Sequence, residues 1–376
     1  MKIGIIGAGA MGTGIAQVAA TSKETVIIFD TQAAALDKSS LHLKSTFEKL
    51  VEKGKWTAEQ AAEVRARISI AQELTALADC DLIIEAVVEK MEIKKSIFKS
   101  LDEMCKPTAI LASNTSSLSI TAIASACSKP ERVMGIHFFN PAPLMPLVEI
   151  IPALQSDEAL IQHAYHLIKS WGKVPVIAKD TPGFIVNRVA RPFYGEALRI
   201  FEEGIADMAT IDQAMREGGF KMGPFELMDL IGNDVNYAVT ESVFEAFYYD
   251  PRFKPSLTQK KNVEAGWLGR KTGRGYYSYK EGAVMPSPSD DAELKQNVFQ
   301  RILVMLINEA YDALYLKVAT AEDLDLAMTK GVNYPKGLIQ WSEEIGTEHC
   351  RALLDSLYEY YHEDRYRCSP ALRNEG

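Results

Sequence analysis

The 376-residue sequence predicts an α/β chain: a doubly wound, Rossmann-type parallel sheet, followed by an all-α region of two repeated helical domains. Three observations carry that expectation. Short β-branched apolar runs alternate with helical patterns up to about residue 180. No strand-like run follows Lys179, and the helical pattern beyond it recurs at an offset of 113 residues.

In chain order, Lys2–Ile6 is a short apolar run, followed by a glycine cluster and a helical pattern over Met11–Ala20. Thr25–Asp30 (TVIIFD) has the β-branched, apolar character of a buried parallel strand. A long charged helix follows over about Ala33–Lys53, with a second segment to about Arg67. Ile68–Ala71, Leu82–Val87 and Ala109–Ser113 read as further buried strands separated by helices. Arg132–Phe139, Leu147–Ile151 and Val174–Ala178 read as strands too, with a helix over Asp157–Trp171. Asp180-Thr181-Pro182 combines a capping side chain with proline in the first turn and predicts a helix start there. The first domain is therefore placed at 1–180 and the first helical domain at 181–285. Glu281–Asp291 (EGAVMPSPSDD) reads as a linker. A second, degenerate helical copy is expected over 292–376. Glu196-Ala197 matches Glu309-Ala310, Asp212 matches Asp325, and Gly223 and Gly232 match Gly337 and Gly346 one insertion later.

The composition is 47% hydrophobic with a net charge of -9, which supports a sizeable core and opposes nonspecific binding to nucleic acid or to an anionic membrane. No run reaches the roughly 18 apolar residues of a membrane span. The N-terminus lacks a signal-peptide cleavage pattern. Five cysteines without a C-x-x-C pair fit reduced thiols in the cytoplasm, and no metal-ligand spacing occurs.

Gly7-Ala8-Gly9-Ala10-Met11-Gly12 is G-x-G-x-x-G, placed between a strand and a helix and followed by a second strand ending in Asp30. That context points to a dinucleotide. Gly7 permits the turn, Gly9 admits a pyrophosphate, Gly12 allows close packing, and the helix N-terminus offers unpaired N–H groups. Asp30 suits ribose hydroxyls and repels a 2′-phosphate, so NAD is expected over NADP. The bland alternative is a turn cluster with Asp30 capping a strand end.

His137 lies in a very apolar strand (GIHFF), ahead of Asn140 and two prolines. A lone histidine there would ordinarily be a satisfied core residue. Glu149 appears in the next apolar strand, however, and a buried carboxylate needs a partner. Paired with Glu149, His137 becomes a base suited to removing a hydroxyl proton while hydride leaves the same carbon.

The segments GAGAMGTGIAQVAA, EAVVEKMEIKKSIF, ASNTSSLSIT, GIHFFNPAPLMPLVEI, KDTPGFIVNR and MGPFELMDLIG together resemble the 3-hydroxyacyl-CoA dehydrogenase family, from residue 1 to about 280. The resemblance implies NAD-dependent, reversible oxidation of an L-3-hydroxyacyl-CoA, with short acyl chains such as 3-hydroxybutyryl favoured. It makes His137 the base, Glu149 its orienting carboxylate, and Ser116 and Asn187 substrate contacts. It makes Asn140, Glu89, Lys94 and Lys271 cofactor contacts. It places Thr46 and Lys53, on the charged helix, at the CoA nucleotide. Read without the family, Ser116 is a cap for a helix at Leu118, while Glu89, Lys94, Lys53 and Lys271 are solvated surface charges. Many members end near KTGRGYYSY; this chain continues into its second helical copy, as some longer bacterial members do.

Two rivals remain. One is a dehydrogenase of a free hydroxy or sugar acid on the same fold; the other is a noncatalytic NAD-binding structural protein. For assembly, the expectation is a monomer or homodimer in which the second helical copy imitates a dimer contact within one chain.

Overall fold

In the computed structural model, which describes residues 1–375, the chain divides into two compact units, Met1–Thr181 and Pro182–Gly376. The first is built on a sheet of eight strands: β1 (Lys2–Ile6), β2 (Thr25–Phe29), β3 (Ile68–Ala71), β4 (Leu82–Glu85), β5 (Ile110–Ser113), β6 (Val133–Phe138), β7 (Leu147–Pro152) and β8 (Val174–Ile177). Their order is β3-β2-β1-β4-β5-β6-β7-β8. Strands β1 to β6 are mutually parallel, β7 runs antiparallel to β6, and β8 is parallel to β7. The order reverses between β1 and β4, and at such a switch point a crevice opens outside the carboxyl ends of the strands.

Helices α1 (Ala10–Thr21), α2 (Ala33–Glu52), α3 (Ala58–Ala66), α4 (Met91–Met104), α5 (Ile120–Ala124) and α6 (Glu158–Ser170) complete this unit. Strands β4 and β5 are buried at every residue, which is why they read as unbroken apolar runs. Strand β3 differs from the expectation of a buried strand. It is the sheet edge, and Ile70 is 43% exposed. The Asp180 cap also differs. No helix begins at Pro182; Asp180 instead accepts the backbone N–H groups of Ile120 (3.0 Å) and Thr121 (2.7 Å), and so caps α5. A side chain that can satisfy orphan amides does not reveal from sequence whose amides they are.

The second unit is helical: α7 (Val186–Val189), α8 (Arg191–Glu202), α9 (Met208–Glu217), α10 (Pro224–Ile231), α11 (Asn233–Ala246), α12 (Leu257–Glu264), α13 (Ala292–Tyr315), α14 (Ala321–Gly331), α15 (Leu338–Ile345), α16 (Thr347–Tyr361) and α17 (Pro370–Asn374). Among the described residues its only β features are isolated bridges at Gly269, Arg274 and Ser278. The stretch Glu281–Asp291 forms neither helix nor strand. The 24-residue α13 is buried without a break from Arg301 to Ala313 because α8 and α9 pack on it from one copy and α15, α16 and α17 from the other. Both helical copies therefore lie in one compact unit. Among the described residues no helix is long and apolar enough to cross a membrane.

Candidate active site

The glycine loop follows from packing. Gly7 has φ 104°, and a Cβ there would lie 2.6 Å from the Ala86 carbonyl oxygen, so the loops after β1 and β4 touch only because the residue is glycine. A Cβ on Gly12 would lie 1.9 Å from the Gly7 carbonyl oxygen. At Gly9 an added Cβ meets nothing within 4 Å, so that position faces open space. Gly9 is also the N-cap of α1 and supplies no side-chain cap, which leaves the first amides for a ligand. Asp30 Oδ2 accepts the Ala8 amide at 2.8 Å, and its Oδ1 accepts the Gln32 amide at 2.9 Å. The carboxylate is thereby fixed in the wall of a cavity of about 860 Å³ that also borders Gly7, Gly9, Val87 and Val88. Glycine cradle, uncapped helix and anchored acid fit an NAD molecule.

His137 and Glu149 stand directly opposite each other in the antiparallel β6/β7 pair, with Nδ1 2.7 Å from Oε2. Both are buried. A carboxylate can only accept, so Nδ1 carries the proton and chemistry falls to Nε2. Asn140, just past β6, lines a second cavity of about 660 Å³ together with Gly9, Ala10 and Thr46. Lys53 caps the end of α2 and is exposed outside that wall.

Lys94 is not the solvated charge of the bland reading, whereas Glu89 is exposed but firmly bonded. Lys94 is 1% exposed, and its Nζ lies 2.7 Å from Glu85 and 3.2 Å from Glu89. Glu85, at the end of β4, also accepts Ser113 Oγ and the Val87 amide, each at 2.7 Å. Glu89 accepts the Thr115 hydroxyl (2.5 Å), the Ser116 amide (3.1 Å) and the Ser117 hydroxyl (3.2 Å). Burial pushes its carboxyl upward, but Lys94 and these donors outweigh burial and hold it below the usual range. Ser116 is thus tied to the Glu89 cluster and is not the cap of a helix: α5 begins at Ile120, capped by Ser119. Glu85, Ser113 and Thr115 went unnoticed in the sequence. Glu85 ends the apolar run LIIE, so the argument that a buried carboxylate needs a partner, applied to Glu149, would have found it.

In the helical unit Asn187 is half-buried between the buried Val186 and Arg188. Lys271 Nζ bonds both oxygens of Asp234, at 2.6 and 2.7 Å.

A dinucleotide cradle and a histidine–carboxylate pair at the same sheet define a nicotinamide-dependent dehydrogenase. The family model described as "3-hydroxyacyl-CoA dehydrogenase, NAD binding domain" matches residues 2–181, and the one described as "3-hydroxyacyl-CoA dehydrogenase, C-terminal domain" matches twice, at 183–279 and 298–375. The chain is 38% identical to the 3-hydroxyadipyl-CoA dehydrogenase of Escherichia coli K12, over 99% of this chain and 96% of that protein. It is 44% identical to a 3-hydroxybutyryl-CoA dehydrogenase of Clostridioides difficile, over 74% of this chain and 99% of the relative. A crystal structure of a 3-hydroxybutyryl-CoA dehydrogenase from E. coli K12 superposes with a TM-score of 0.94 at 38% identity, covering 99% of this chain and 97% of that one. The chain belongs to the 3-hydroxyacyl-CoA dehydrogenase family. It is an NAD-dependent oxidoreductase acting on 3-hydroxyacyl-CoA.

Proposed function

We propose that His137 is the base of this reaction and Glu149 its orienting carboxylate. The observation that carries the reading is the 2.7 Å contact between two buried groups on adjacent strands. His137 Nε2 takes the proton of the 3-hydroxyl, and Glu149 stabilises the imidazolium that results. NAD, held by the glycine loop and Asp30, would supply the acceptor for the hydride of C3, so that loss of the hydroxyl proton to His137 yields the 3-keto thioester. Ser116 contacts the substrate oxygen, and Asn187 faces the substrate. Glu85 fixes Lys94, and Lys94 with Glu89 braces the segment carrying Ser116 beside the cofactor. Gly7, Gly9, Ala10, Met11 and Gly12 hold the pyrophosphate, Asp30 the ribose and Asn140 the nicotinamide end, with Lys271 as a further cofactor contact. Thr46 and Lys53 serve the CoA nucleotide. Relatives named for 3-hydroxybutyryl and 3-hydroxyadipyl thioesters support short acyl groups, and five free cysteines, four of them buried, support a reducing cytoplasm. The second helical copy imitates a subunit contact within one chain. Oxidation of NADH followed by absorbance with acetoacetyl-CoA, and with free acetoacetate as control, tests the reading. Turnover of the free acid alone would overturn it.

A further inference from the structure

The buried arginines of this protein have counter-charges, with one exception. Arg188 pairs with Glu309 and Asp312, Arg301 with Glu196 and Glu203, Arg365 with Glu203 and Glu363, and Arg132 with Asp102. Arg191, at the start of α8, is 7% exposed, and among the described residues no carboxylate lies within ion-pair distance of it. Its Nη1 makes one long bond of 3.3 Å to Thr240 Oγ1, its Nε has no hydrogen-bond partner, and its guanidinium sits 5.0 Å from the centroid of the Tyr194 ring. The groups it senses electrostatically are two phenols, Tyr194 and Tyr334. Tyr334, contributed by the second helical copy, is 6% exposed, and its hydroxyl also has no partner. Phe193 and Phe220 wall this region, with ring centroids 5.9 and 4.9 Å from that of Tyr334.

A guanidinium stays charged in a protein, and a buried charge without a counter-ion is costly. Two neighbouring buried donors without acceptors therefore point to an anion supplied from outside. Position in the chain says which. Arg191 follows Asn187 by four residues, with only Ala190 between the end of α7 and the start of α8, so the two lie about 5 Å, one helical turn, apart along the chain. A group three carbons beyond C3 of an acyl chain held at Asn187 spans a comparable distance. The second copy has Gln300 and Val304 at the two equivalent positions, so the asparagine–arginine pair is confined to the first copy. The planar fork of arginine suits a carboxylate.

We propose that Arg191 and Tyr334 form a carboxylate-binding site for the far end of the acyl chain, selecting 3-hydroxyacyl-CoA substrates of dicarboxylic acids over monocarboxylic ones of equal length. The proposal rests on the reading of Asn187 as a substrate contact. A site built around buried donors discriminates strongly against a ligand that leaves them unpaired.

The test compares kcat/KM for 3-hydroxyadipyl-CoA and 3-hydroxyhexanoyl-CoA in the full-length enzyme. The wild type should favour the dicarboxylic substrate by about 10²-fold or more, and Arg191→Met should collapse that ratio towards one. Tyr334→Phe removes one hydroxyl with little change of shape and keeps the test open should Arg191→Met fold poorly; it should lower the ratio by about tenfold. A wild type without preference, or a ratio unmoved by both substitutions, overturns the proposal. If Arg191→Met weakens inhibition by CoA alone as much as it weakens use of 3-hydroxyadipyl-CoA, the anion is a CoA phosphate and the proposal falls. Absence of turnover with either substrate defeats the dehydrogenase reading itself, a result distinct from lost selectivity.

Discussion

Arg188 of the first helical copy and Arg301 of the second stand 113 residues apart at the same place in the repeat, and each reaches across to the other copy's glutamate. Arg188 Nε donates to Glu309 at 2.6 Å, and Arg301 Nε donates to Glu196 at 2.6 Å. Glu196 and Glu309 are also 113 residues apart. Reciprocal exchange of one contact is the mark of an isologous, two-fold interface, here written into one chain. The capping contacts are repeated as well. Asp212 accepts the Phe225 and Glu226 amides at the start of α10, and Asp325 accepts the Ile339 and Gln340 amides in α15. Other contacts are not repeated. Asp229 binds the Tyr276 and Tyr277 amides and the Tyr279 hydroxyl and so holds the 269–279 loop of the first copy. The corresponding Glu343 is exposed. The second copy has thus kept the residues that pack against the first and lost those that hold a functional loop, together with the counterparts of Asn187 and Arg191.

If the second copy is framework apart from Tyr334, the proton and hydride chemistry depends on residues outside it. His137→Ala or Glu149→Gln should lower turnover by about two to four orders of magnitude with little change in NAD affinity, whereas Gln300→Ala should leave turnover at the wild-type level. Steady-state rates with acetoacetyl-CoA and fluorescence titration of NADH give both quantities. A comparable loss from Gln300→Ala would break the comparison.

Ending the chain at residue 285 removes α13 and bares the faces of α8 and α9 that it covers. Exposed apolar area of that extent associates. The shortened protein should dimerise through α8 or aggregate, as read by light scattering. An unchanged oligomeric state with unchanged stability would mean that the second copy does not stand in for a partner.

The reciprocal ion pairs predict an asymmetry. Removing one member of a buried pair strands the other and costs about 3–5 kcal/mol. After Arg188→Met, Glu309 still has Arg252 at 3.5 Å; after Arg301→Met, Glu196 keeps, among the described residues, only the Tyr366 hydroxyl. Arg301→Met should therefore lower the denaturant midpoint more than Arg188→Met does, and adding Glu196→Leu should recover part of the loss. Equal losses would mean that the surroundings of the two pairs do not matter.

Much of this was legible in the sequence, for identifiable reasons. The sheet strands were readable because burial on both faces leaves runs such as LIIE and TVIIF without polar interruption; the edge strand β3 was misjudged because its apolar residues look the same when half-exposed. His137 and Glu149 stood out as polar residues in apolar strands. Arg188, Arg301 and the Asp180 cap of α5 were not legible as partners, since each acts on residues 59 to 124 positions away and charge in a helix reads as solvated until its neighbour is known.

The smallest effect separates the two copies most finely. Gly223 and Gly337 are the N-caps of α10 and α15, with φ of -76° and -64°, so neither needs glycine for its backbone conformation. Sterics demand it instead. A Cβ on Gly223 would lie 2.3 Å from both the Cα and the Cβ of Asp212, whereas one on Gly337 would meet side-chain atoms of Asp325 at 2.2 to 2.4 Å. The first clash includes backbone and forces α9 and α10 apart. The second is relieved only in part if the Asp325 side chain rotates: Cγ and Oδ2 move away, at the expense of the bonds to the α15 amides, while Cβ stays at 2.4 Å and asks for a small backbone shift. Overpacking of this kind costs about 1–3 kcal/mol, and loss of a cap about 1 kcal/mol. Gly223→Ala should thus fall towards the upper figure and Gly337→Ala towards the lower, measured as shifts in urea midpoint at constant m-value. A Gly337→Ala loss equal to or larger than that of Gly223→Ala would show that the Asp325 side chain has no room to yield, and that the second copy is packed as tightly as the first.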